Sequence, residues 1–274
     1  MHFQRQRTPC FLSFFCFSSF MGNPYKKKYA GVAGIYDTYV NADYDLAFWL
    51  QECKKAGEVL ELTAGTGRVT IPLAKAGVKV TALDISRELI AGLRKKCRKE
   101  KVNVEIVEAD MCRFDLGRKF PLIIIPFQSL SELVLPEDHE AAFRQAQKHL
   151  EDGGRFIVTI RNPAQQQALH SNKLQKVGEY ACPDSKNRLL FFMKRAYDKK
   201  THVGTAYQLY KECNASGKIV SRKVFRNKYY VFGKGEVERL AKKTGFEVQK
   251  KYGSYSWEPI GKGSQFAIFI LGKQ

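Results

Sequence analysis

Short apolar runs alternate with amphipathic stretches along the middle of the chain. Leu46, Trp49 and Leu50 form one helical stripe, and the apolar run Glu58–Leu62 after it predicts a buried parallel strand. The cycle repeats, with strands predicted at Lys79–Leu83, Val102–Val107, Leu122–Pro126 and Arg155–Ile160 and helices at 68–77, Arg87–Glu100 and Glu137–Glu151. This alternation is typical of a parallel, doubly wound sheet that binds its ligand at the carboxyl ends of its strands.

After Pro163 the pattern changes to alternating apolar and polar positions. Stretches joined by the turn-like segments DKKT and NASGK predict antiparallel strands at Arg188–Tyr197, Val203–Cys213 and Ile219–Val231. A helix and two strands then follow at Gly235–Thr244, Phe246–Tyr252 and Gln265–Leu271. The predicted fold class is therefore α/β, with a doubly wound, mostly parallel, seven-stranded Rossmann-like sheet and an inserted antiparallel β lobe.

Composition bounds the class of protein, whereas net charge alone does not decide its function. A chain of 274 residues with 44% hydrophobic residues can bury a substantial core, which excludes a disordered or fibrous protein. The net charge is +19, and residues 171–274 hold most of the surplus, with 22 Lys and Arg against 8 Asp and Glu. Such a surface can attract RNA, an anionic membrane or an acidic small substrate, or can simply be solvated.

The cysteines and histidines do not form a metal-binding pattern. The seven cysteines are scattered and include no CxxC pair, which indicates free thiols in a reducing compartment and hence a cytoplasmic protein. The five histidines lie far apart, so the sequence predicts no metal site.

Residues 1–20 differ from the rest in composition. Cys10–Phe20 is a Phe/Ser/Cys-rich apolar run that follows two arginines and is too short to span a membrane. A signal peptide, a transit peptide, and upstream sequence before a natural start at Met21 are the three interpretations. The third is favoured because no small-x-small cleavage site is evident and a cytosolic protein with free thiols can begin at Met21.

Two features in the first half point to one adenosine ligand. Gly65 and Gly67 lie in a turn between a strand and a helix, where glycine lets the backbone approach a ligand closely. Asp84 follows nineteen residues after Gly65 at the end of the next strand, where a carboxylate can accept hydrogen bonds from ribose hydroxyls. Asp110, after the third strand, is a candidate for the adenine amine, with a cap or turn role as the alternative.

The segment VLELTAGTGR, together with Asp84, resembles the class I S-adenosylmethionine-dependent methyltransferase family, from about Tyr25 to Leu271. A dinucleotide-binding GxGxxG fingerprint needs a third glycine where this chain has Thr70, which favours methyl transfer over NAD(P) binding. The resemblance implies that S-adenosyl-L-methionine is the cofactor and S-adenosyl-L-homocysteine the product. It also implies a division into an N-terminal lid (21–57), a cofactor-binding core (58–163), an acceptor lobe (164–232) and the end of the core (233–274).

By the same resemblance, Glu61 holds a water or an amine near the methionyl group, and Ile85 packs on the adenine. The full set of expected cofactor residues is Tyr29, Tyr36, Glu61, Thr63, Ala64, Gly65, Thr66, Gly67, Arg68, Asp84, Ile85, Ala109, Asp110, Met111, Pro126 and Phe127. Arg68 is either a carboxylate contact or an exposed residue at the helix start. Tyr29 and Tyr36 lie beside the sulfonium or in the core.

The end of the fourth strand, PFQSLSEL, resembles the acceptor edge of small-molecule methyltransferases and lacks the signature of nucleobase amine methylation. Tyr36, Gln128, Glu132 and Arg161 are the candidate acceptor contacts; for Gln128 and Glu132 a loop hydrogen bond and a helix-start acid are the alternatives. Arg188, Arg195, Arg222 and Arg226 alternate with apolar residues along the lobe strands, so one face can point at the pocket.

The predicted function is methyl transfer to a nitrogen, oxygen or sulfur atom of a small acceptor that can be anionic, by a monomer or homodimer without a membrane span. Methyl transfer from a sulfonium needs close placement in a dry site and no protein nucleophile, and the sequence identifies no base. The alternatives are an RNA methyltransferase that uses the basic lobe and a catalytically silent methyltransferase-like binding protein.

Overall fold

The computed structural model describes Tyr25, Tyr29, Gly31 and residues 33–166, 171–183, 185–261 and 263–273. The predicted extension at residues 1–20 lies outside the described residues, as does most of 21–32. Seven helices are defined in order as α1 (Tyr36–Tyr39), α2 (Leu46–Ala56), α3 (Thr70–Lys75), α4 (Arg87–Glu100), α5 (Pro136–His149), α6 (Pro163–Gln166) and α7 (Glu236–Lys243). Short 3-10 helices lie at Ala33–Ile35 and Ser129–Glu132.

Eleven strands form two sheets within the described residues. They are β1 (Glu58–Leu62), β2 (Lys79–Asp84), β3 (Glu105–Glu108), β4 (Phe120–Ile125), β5 (Leu150–Arg161), β6 (Gln175–Ala181), β7 (Arg188–Asp198), β8 (Val203–Cys213), β9 (Ile219–Tyr230), β10 (Phe246–Tyr252) and β11 (Phe266–Lys273). The large sheet has the order β10-β11-β5-β4-β1-β2-β3 and the small sheet the order β6-β7-β8-β9. The pairs among β1 to β5 are parallel, whereas β11 runs antiparallel to β5 and β10. The predicted fold class is confirmed.

Helices cover both faces of the large sheet. Side chains that point to one face, such as Leu60 and Phe156, pack against α5 and α7, and those that point to the other, such as Val59 and Ile157, pack against α2, α3 and α4. Burial of each large apolar side chain contributes about 1.5–3 kcal/mol, and strands buried on both faces have the continuous apolar pattern seen in the sequence.

Some boundaries differ from the prediction. β3 begins at Glu105 rather than Val102, because the Val102 backbone donates to Cys97 and closes the end of α4. β5 begins at Leu150, which already pairs with Phe120, and the pairing then shifts register before Arg155. Glu151 therefore belongs to a strand and not to α5. β6 was not predicted, since this edge strand is mostly exposed and lacks an apolar stripe.

The small sheet packs against the N-terminal segment. Leu189, Phe191 and Tyr210 form a cluster on its inner face, and Tyr29, Tyr39 and Phe225 pack around them. Tyr39 lies 4.9 Å from Tyr210 and 5.6 Å from Phe191, measured between ring centroids. The predicted lid is thus in contact with the predicted acceptor lobe.

Candidate active site

The turn after β1 has an unusual backbone. Thr63, Gly65 and Gly67 have positive φ angles of 68°, 58° and 88°. A Cβ at Gly67 would overlap Cδ1 of Leu93 in α4, so the turn packs directly on that helix. Gly67 therefore has a packing role beneath the turn, whereas Gly65 faces the cavity described next.

Asp84 connects this turn to the end of β2. Its carboxylate accepts hydrogen bonds from the backbone N–H of Gly65 at 2.7 Å and of Ser86 at 2.8 Å. Burial raises the pKa of Asp84, and the backbone hydrogen bonds oppose that rise. The remaining acceptor capacity of this nearly buried carboxylate faces a cavity.

This first cavity, called the adenosine cavity below, lies at the ends of β1, β2 and β3. Nine of the predicted cofactor residues line it: Tyr29, Tyr36, Thr63, Gly65, Asp84, Ile85, Ala109, Asp110 and Met111. Tyr25, Leu89, Ser129 and Leu133 also line it and were missed by the sequence analysis. Asp110 accepts a hydrogen bond from the Cys112 backbone at 2.9 Å, so the turn role proposed as its alternative is present.

A second cavity, called the methyl cavity below, shares Tyr36, Thr63, Gly65 and Ser129 with the first. Its other predicted residues are Glu61, Ala64, Thr66, Arg68, Pro126 and Phe127. Because four residues line both cavities, the two are neighbouring parts of one cleft. Val40 and Val69 complete the lining and were not predicted.

The charges under the methyl cavity are largely paired. Arg68 donates to both carboxylate oxygens of Asp45, at 2.5 and 2.7 Å, and its guanidinium lies 4.6 Å from the Phe127 ring centroid. Arg68 thus meets a carboxylate of its own chain. Glu61 is buried and accepts a hydrogen bond from Thr70 at 2.6 Å; desolvation raises its pKa to about 8.

Aromatic side chains of the N-terminal segment lie over both cavities. Tyr29 and Tyr36 meet edge to face at 5.5 Å, and Tyr36 lines the adenosine and the methyl cavity. The segment is tied to the turn because Thr66 donates to Asp37 at 2.5 Å. Tyrosine faces at this junction suit a cation.

A third cavity, called the acceptor cavity below, lies between Ser129–Glu132 and the inner face of the small sheet. It contains the predicted acceptor residues Gln128, Glu132 and Arg161. It also contains Phe127, Ser131, Met193, Arg195, Ala206, Gln208, Asn227 and Tyr229. Phe127 is shared with the methyl cavity and Glu132 with the adenosine cavity, so all three cavities meet at the end of β4. The fourth predicted acceptor contact, Tyr36, does not line the acceptor cavity; it lines the adenosine and methyl cavities.

Strand alternation decides which lobe arginines reach the acceptor cavity. Arg195 is in register with Ala206, which is in register with Asn227, and all three line it. Arg222 and Arg226 are exposed at the alternate positions of β9, and Arg188 pairs with Glu179 at the surface. Only one of the four lobe arginines therefore faces this cavity.

The side chains that line the adenosine and methyl cavities have the chemistry needed to bind S-adenosylmethionine. A nearly buried carboxylate at Asp84 suits ribose hydroxyls, and Tyr36 at the junction suits a sulfonium. Every predicted cofactor residue except Gly67 lines one or both of these cavities. Gly67 packs behind them, against α4.

A comparison with protein families matches residues 59–154 to a model described as a methyltransferase domain. Residues 59–154 are therefore a methyltransferase domain. In this methyltransferase domain the matched segment runs from β1 to the start of β5 and includes the glycine turn, Asp84 and the end of β4.

Individual relatives are distant. A putative methyltransferase from Geobacillus sp. (strain WCH70) is 26% identical over 140 residues, which make up 48% of this chain and 57% of that protein. The chain thus spans about half the length of that relative. The cypemycin N-terminal methyltransferase from Streptomyces sp is 24% identical over 216 residues, 79% of this chain and 83% of that protein. The solved structure of the CcbJ methyltransferase from Streptomyces caelestis matches with a TM-score of 0.79 at 22% identity, over 92% of this chain and 99% of that chain, which supports the methyltransferase fold.

The described part of the chain was searched for clusters of metal-ligating side chains and for membrane-spanning helices. Within it, no group of three or more His, Cys, Asp or Glu side chains is arranged to hold a metal ion. None of its described helices is long and apolar enough to cross a membrane. The five described cysteines are free thiols.

Proposed function

We propose that this protein transfers a methyl group from S-adenosylmethionine to a small-molecule acceptor at a nitrogen, oxygen or sulfur atom. The observation that carries the proposal is the meeting of three cavities at the end of β4, where Phe127 and Glu132 each line two of them. A nitrogen is the first candidate, because a relative from Streptomyces venezuelae, 29% identical over 104 residues, is named a dTDP-3-amino-3,4,6-trideoxy-alpha-D-glucopyranose N,N-dimethyltransferase.

The residues that would hold the cofactor follow from the cavities. Asp84 would accept hydrogen bonds from the ribose and Asp110 one from the adenine amine, and Ile85 and Met111 would cover the ring. Glu61 and Tyr36 lie near the methionyl end. S-adenosylmethionine, when bound, supplies an activated methyl group, and S-adenosylhomocysteine is the product.

The protein itself positions the acceptor against the methyl group and excludes water from the cleft. Tyr29 and Tyr36 cover the cleft and exclude water, and Pro126 and Phe127 at the end of β4 form the wall toward the acceptor. Collinear placement of acceptor and methyl group accounts for most of the acceleration in such a transfer, so no nucleophilic side chain is required.

The acceptor is proposed to be small and to carry a negative charge. The acceptor cavity has a volume of about 260 Å³, and Arg161 and Arg195 both line it. An RNA methyltransferase is disfavoured, because Arg222 and Arg226 lie on the outer face of the lobe, away from the cleft. The lid, core and lobe division, a monomer or homodimer, and a cytoplasmic location supported by free thiols complete the proposal.

Calorimetric titration with S-adenosylmethionine, and in parallel with NADH, tests the cofactor. We expect micromolar binding of S-adenosylmethionine that Asp84→Ala abolishes, and no binding of NADH. Glu108→Ala is the matched control, because Glu108 is in register with Asp84 on β3 but is exposed and outside the cavity. Binding of NADH alone, or of neither ligand, would refute the proposal, and binding without any S-adenosylhomocysteine release across a broad acceptor panel would favour the silent binding protein.

A further inference from the structure

The acceptor cavity has two chemically different ends. Glu132 lines both this cavity and the adenosine cavity, so it lies toward the cofactor. Arg161 and Arg195 line the acceptor cavity alone. Glu132 also interacts electrostatically with Tyr36, which lines the methyl cavity. A molecule that fills the acceptor cavity therefore meets a carboxylate on the cofactor side and two guanidinium groups that line neither of the other cavities.

The end near Glu132 is rich in hydrogen-bond acceptors. Asn227 donates to Glu132 at 3.3 Å, and its own Oδ1 is buried without a hydrogen-bond partner among the described residues. The buried Oγ of Ser131 likewise has none within the described part of the chain. Both side chains are more than nine-tenths buried and line the cavity. Buried acceptors of this kind call for a donor, and an ammonium group has three.

The other end lacks negative charge. Within the described residues, neither Arg161 nor Arg195 forms an ion pair with a carboxylate. Burial, and after it the charge of Arg195, lowers the pKa of Arg161. Two half-buried guanidinium groups repel each other unless an anion lies between them, and a carboxylate or phosphate matches their fork geometry.

Resting on the proposed function, we propose that the methyl acceptor is a small amine that also carries a carboxylate or phosphate group. Arg161 and Arg195 bind the anionic group, while Glu132, Ser131 and Asn227 bind the ammonium. This geometry makes Glu132 the catalytic residue that receives the ammonium proton. An amine must lose that proton before it can react, because an ammonium nitrogen has no free electron pair.

The proton and electron balance is complete. The ammonium gives one proton to the Glu132 carboxylate and becomes a neutral amine. Its nitrogen electron pair forms the new C–N bond as the C–S bond breaks, and the electrons of that bond stay on sulfur. The methylated product is again an ammonium ion, and the proton on Glu132 passes to solvent.

Binding of a defined panel tests the acceptor class without relying on turnover. With S-adenosylhomocysteine saturating, we would titrate the protein with glycine, β-alanine, γ-aminobutyrate and phosphoethanolamine, and with ethylamine and propionate as single-group controls. At least one two-group compound should bind ten or more times more tightly than either control. Carboxylate compounds and phosphoethanolamine distinguish the two sources of the anion.

Variants separate the two ends. Arg195→Met should raise the Kd of the two-group compound at least tenfold, whereas Arg222→Met on the outer face should leave it unchanged. Both variants should bind S-adenosylmethionine with an affinity within threefold of that of the native protein. Glu132→Gln should lower kcat and shift its pH profile to higher pH, because solvent must then deprotonate the amine, and Glu132→Asp should restore part of the rate.

Failure of every panel compound to bind or be methylated, with S-adenosylmethionine binding intact, would overturn this inference and leave the proposed function standing. An unchanged affinity in Arg195→Met would also overturn it. Loss of S-adenosylmethionine binding in the native protein would instead refute the proposed function.

Discussion

The carboxyl edge of the parallel sheet and the inner face of the antiparallel lobe hold their ligand-facing groups in different ways. At the sheet edge, Asp84 is fixed by two backbone N–H groups and the glycine turn packs on α4. In the lobe, the ligand-facing atoms belong to side chains on three strands, and Asn227 Oδ1 has no partner among the described residues. The first arrangement is set by local chain geometry and the second by pairing of distant segments. Changes in the lobe can therefore alter the acceptor without disturbing the cofactor.

The largest expected effect is that of Gly67→Ala. The new Cβ would overlap Leu93, and the φ of 88° is unfavourable for alanine, so we expect about 3 kcal/mol lower free energy of unfolding and loss of S-adenosylmethionine binding. Urea denaturation and calorimetry measure the two effects. Gly57→Ala is the control, since its φ is also positive but its Cβ would meet nothing within 4 Å; its cost should be about 1 kcal/mol. Equal costs at both positions would show that packing on α4 does not matter.

The same contrast explains what the sequence could predict. The sheet, the glycine turn and Asp84 follow from runs of neighbouring residues, so hydrophobic periodicity locates them. Asn227 and Gln208 could not be assigned, because their meeting with Ser131 depends on strand register and on how the lobe lies against β4. Tyr25 was missed for a similar reason: its hydroxyl donates to Asp138 at 2.8 Å, over 100 residues away.

A buried acid beneath the methyl cavity gives the next largest effect. The folded-state pKa of Glu61, about 8, lies above its ordinary value of 4.5, so its contribution to stability is complete below pH 4.5 and is lost as the pH rises through 8. Glu61→Gln keeps an acceptor for Thr70 and removes this titration. We expect the variant to match the native protein near pH 5 and to exceed it by about 2 kcal/mol in free energy of unfolding at about pH 6.5, with a further gain up to about pH 8.

Denaturation curves from pH 5 to pH 9 measure this difference. Glu108→Gln, at an exposed carboxylate on β3, serves as the control and should show no pH-dependent gain. A constant offset between Glu61→Gln and the native protein at every pH would mean that Glu61 does not titrate in this range.

A change in the lobe, Tyr210→Phe, should have a smaller effect and should alter acceptor binding alone. Tyr210 donates to Gln208 at 2.8 Å, and Gln208 lines the acceptor cavity. Tyr210→Phe removes this hydrogen bond, which contributes about 1 kcal/mol, so the acceptor KM should rise several-fold while the Kd for S-adenosylmethionine stays unchanged. Tyr207→Phe, at a 40% exposed position on the outer face of the same strand, is the control. A weaker cofactor affinity in Tyr210→Phe would show that the lobe and the sheet edge communicate through Tyr39.

The smallest effect is expected on the outer face of the lobe. Arg222 and Arg226 are exposed, and within the described part of the chain neither pairs with a carboxylate, so the double change Arg222→Ala, Arg226→Ala should alter the free energy of unfolding by no more than about 0.5 kcal/mol. Acceptor KM should not change. If this face bound RNA phosphates, the double variant would instead lose RNA affinity whatever the RNA sequence. The slope of log binding constant against log salt concentration would also become shallower, by about one unit for each phosphate that an arginine no longer neutralises. Kinetics at two salt concentrations thus measure whether the basic charge of the lobe acts at its inner face, through Arg195, or at its outer face.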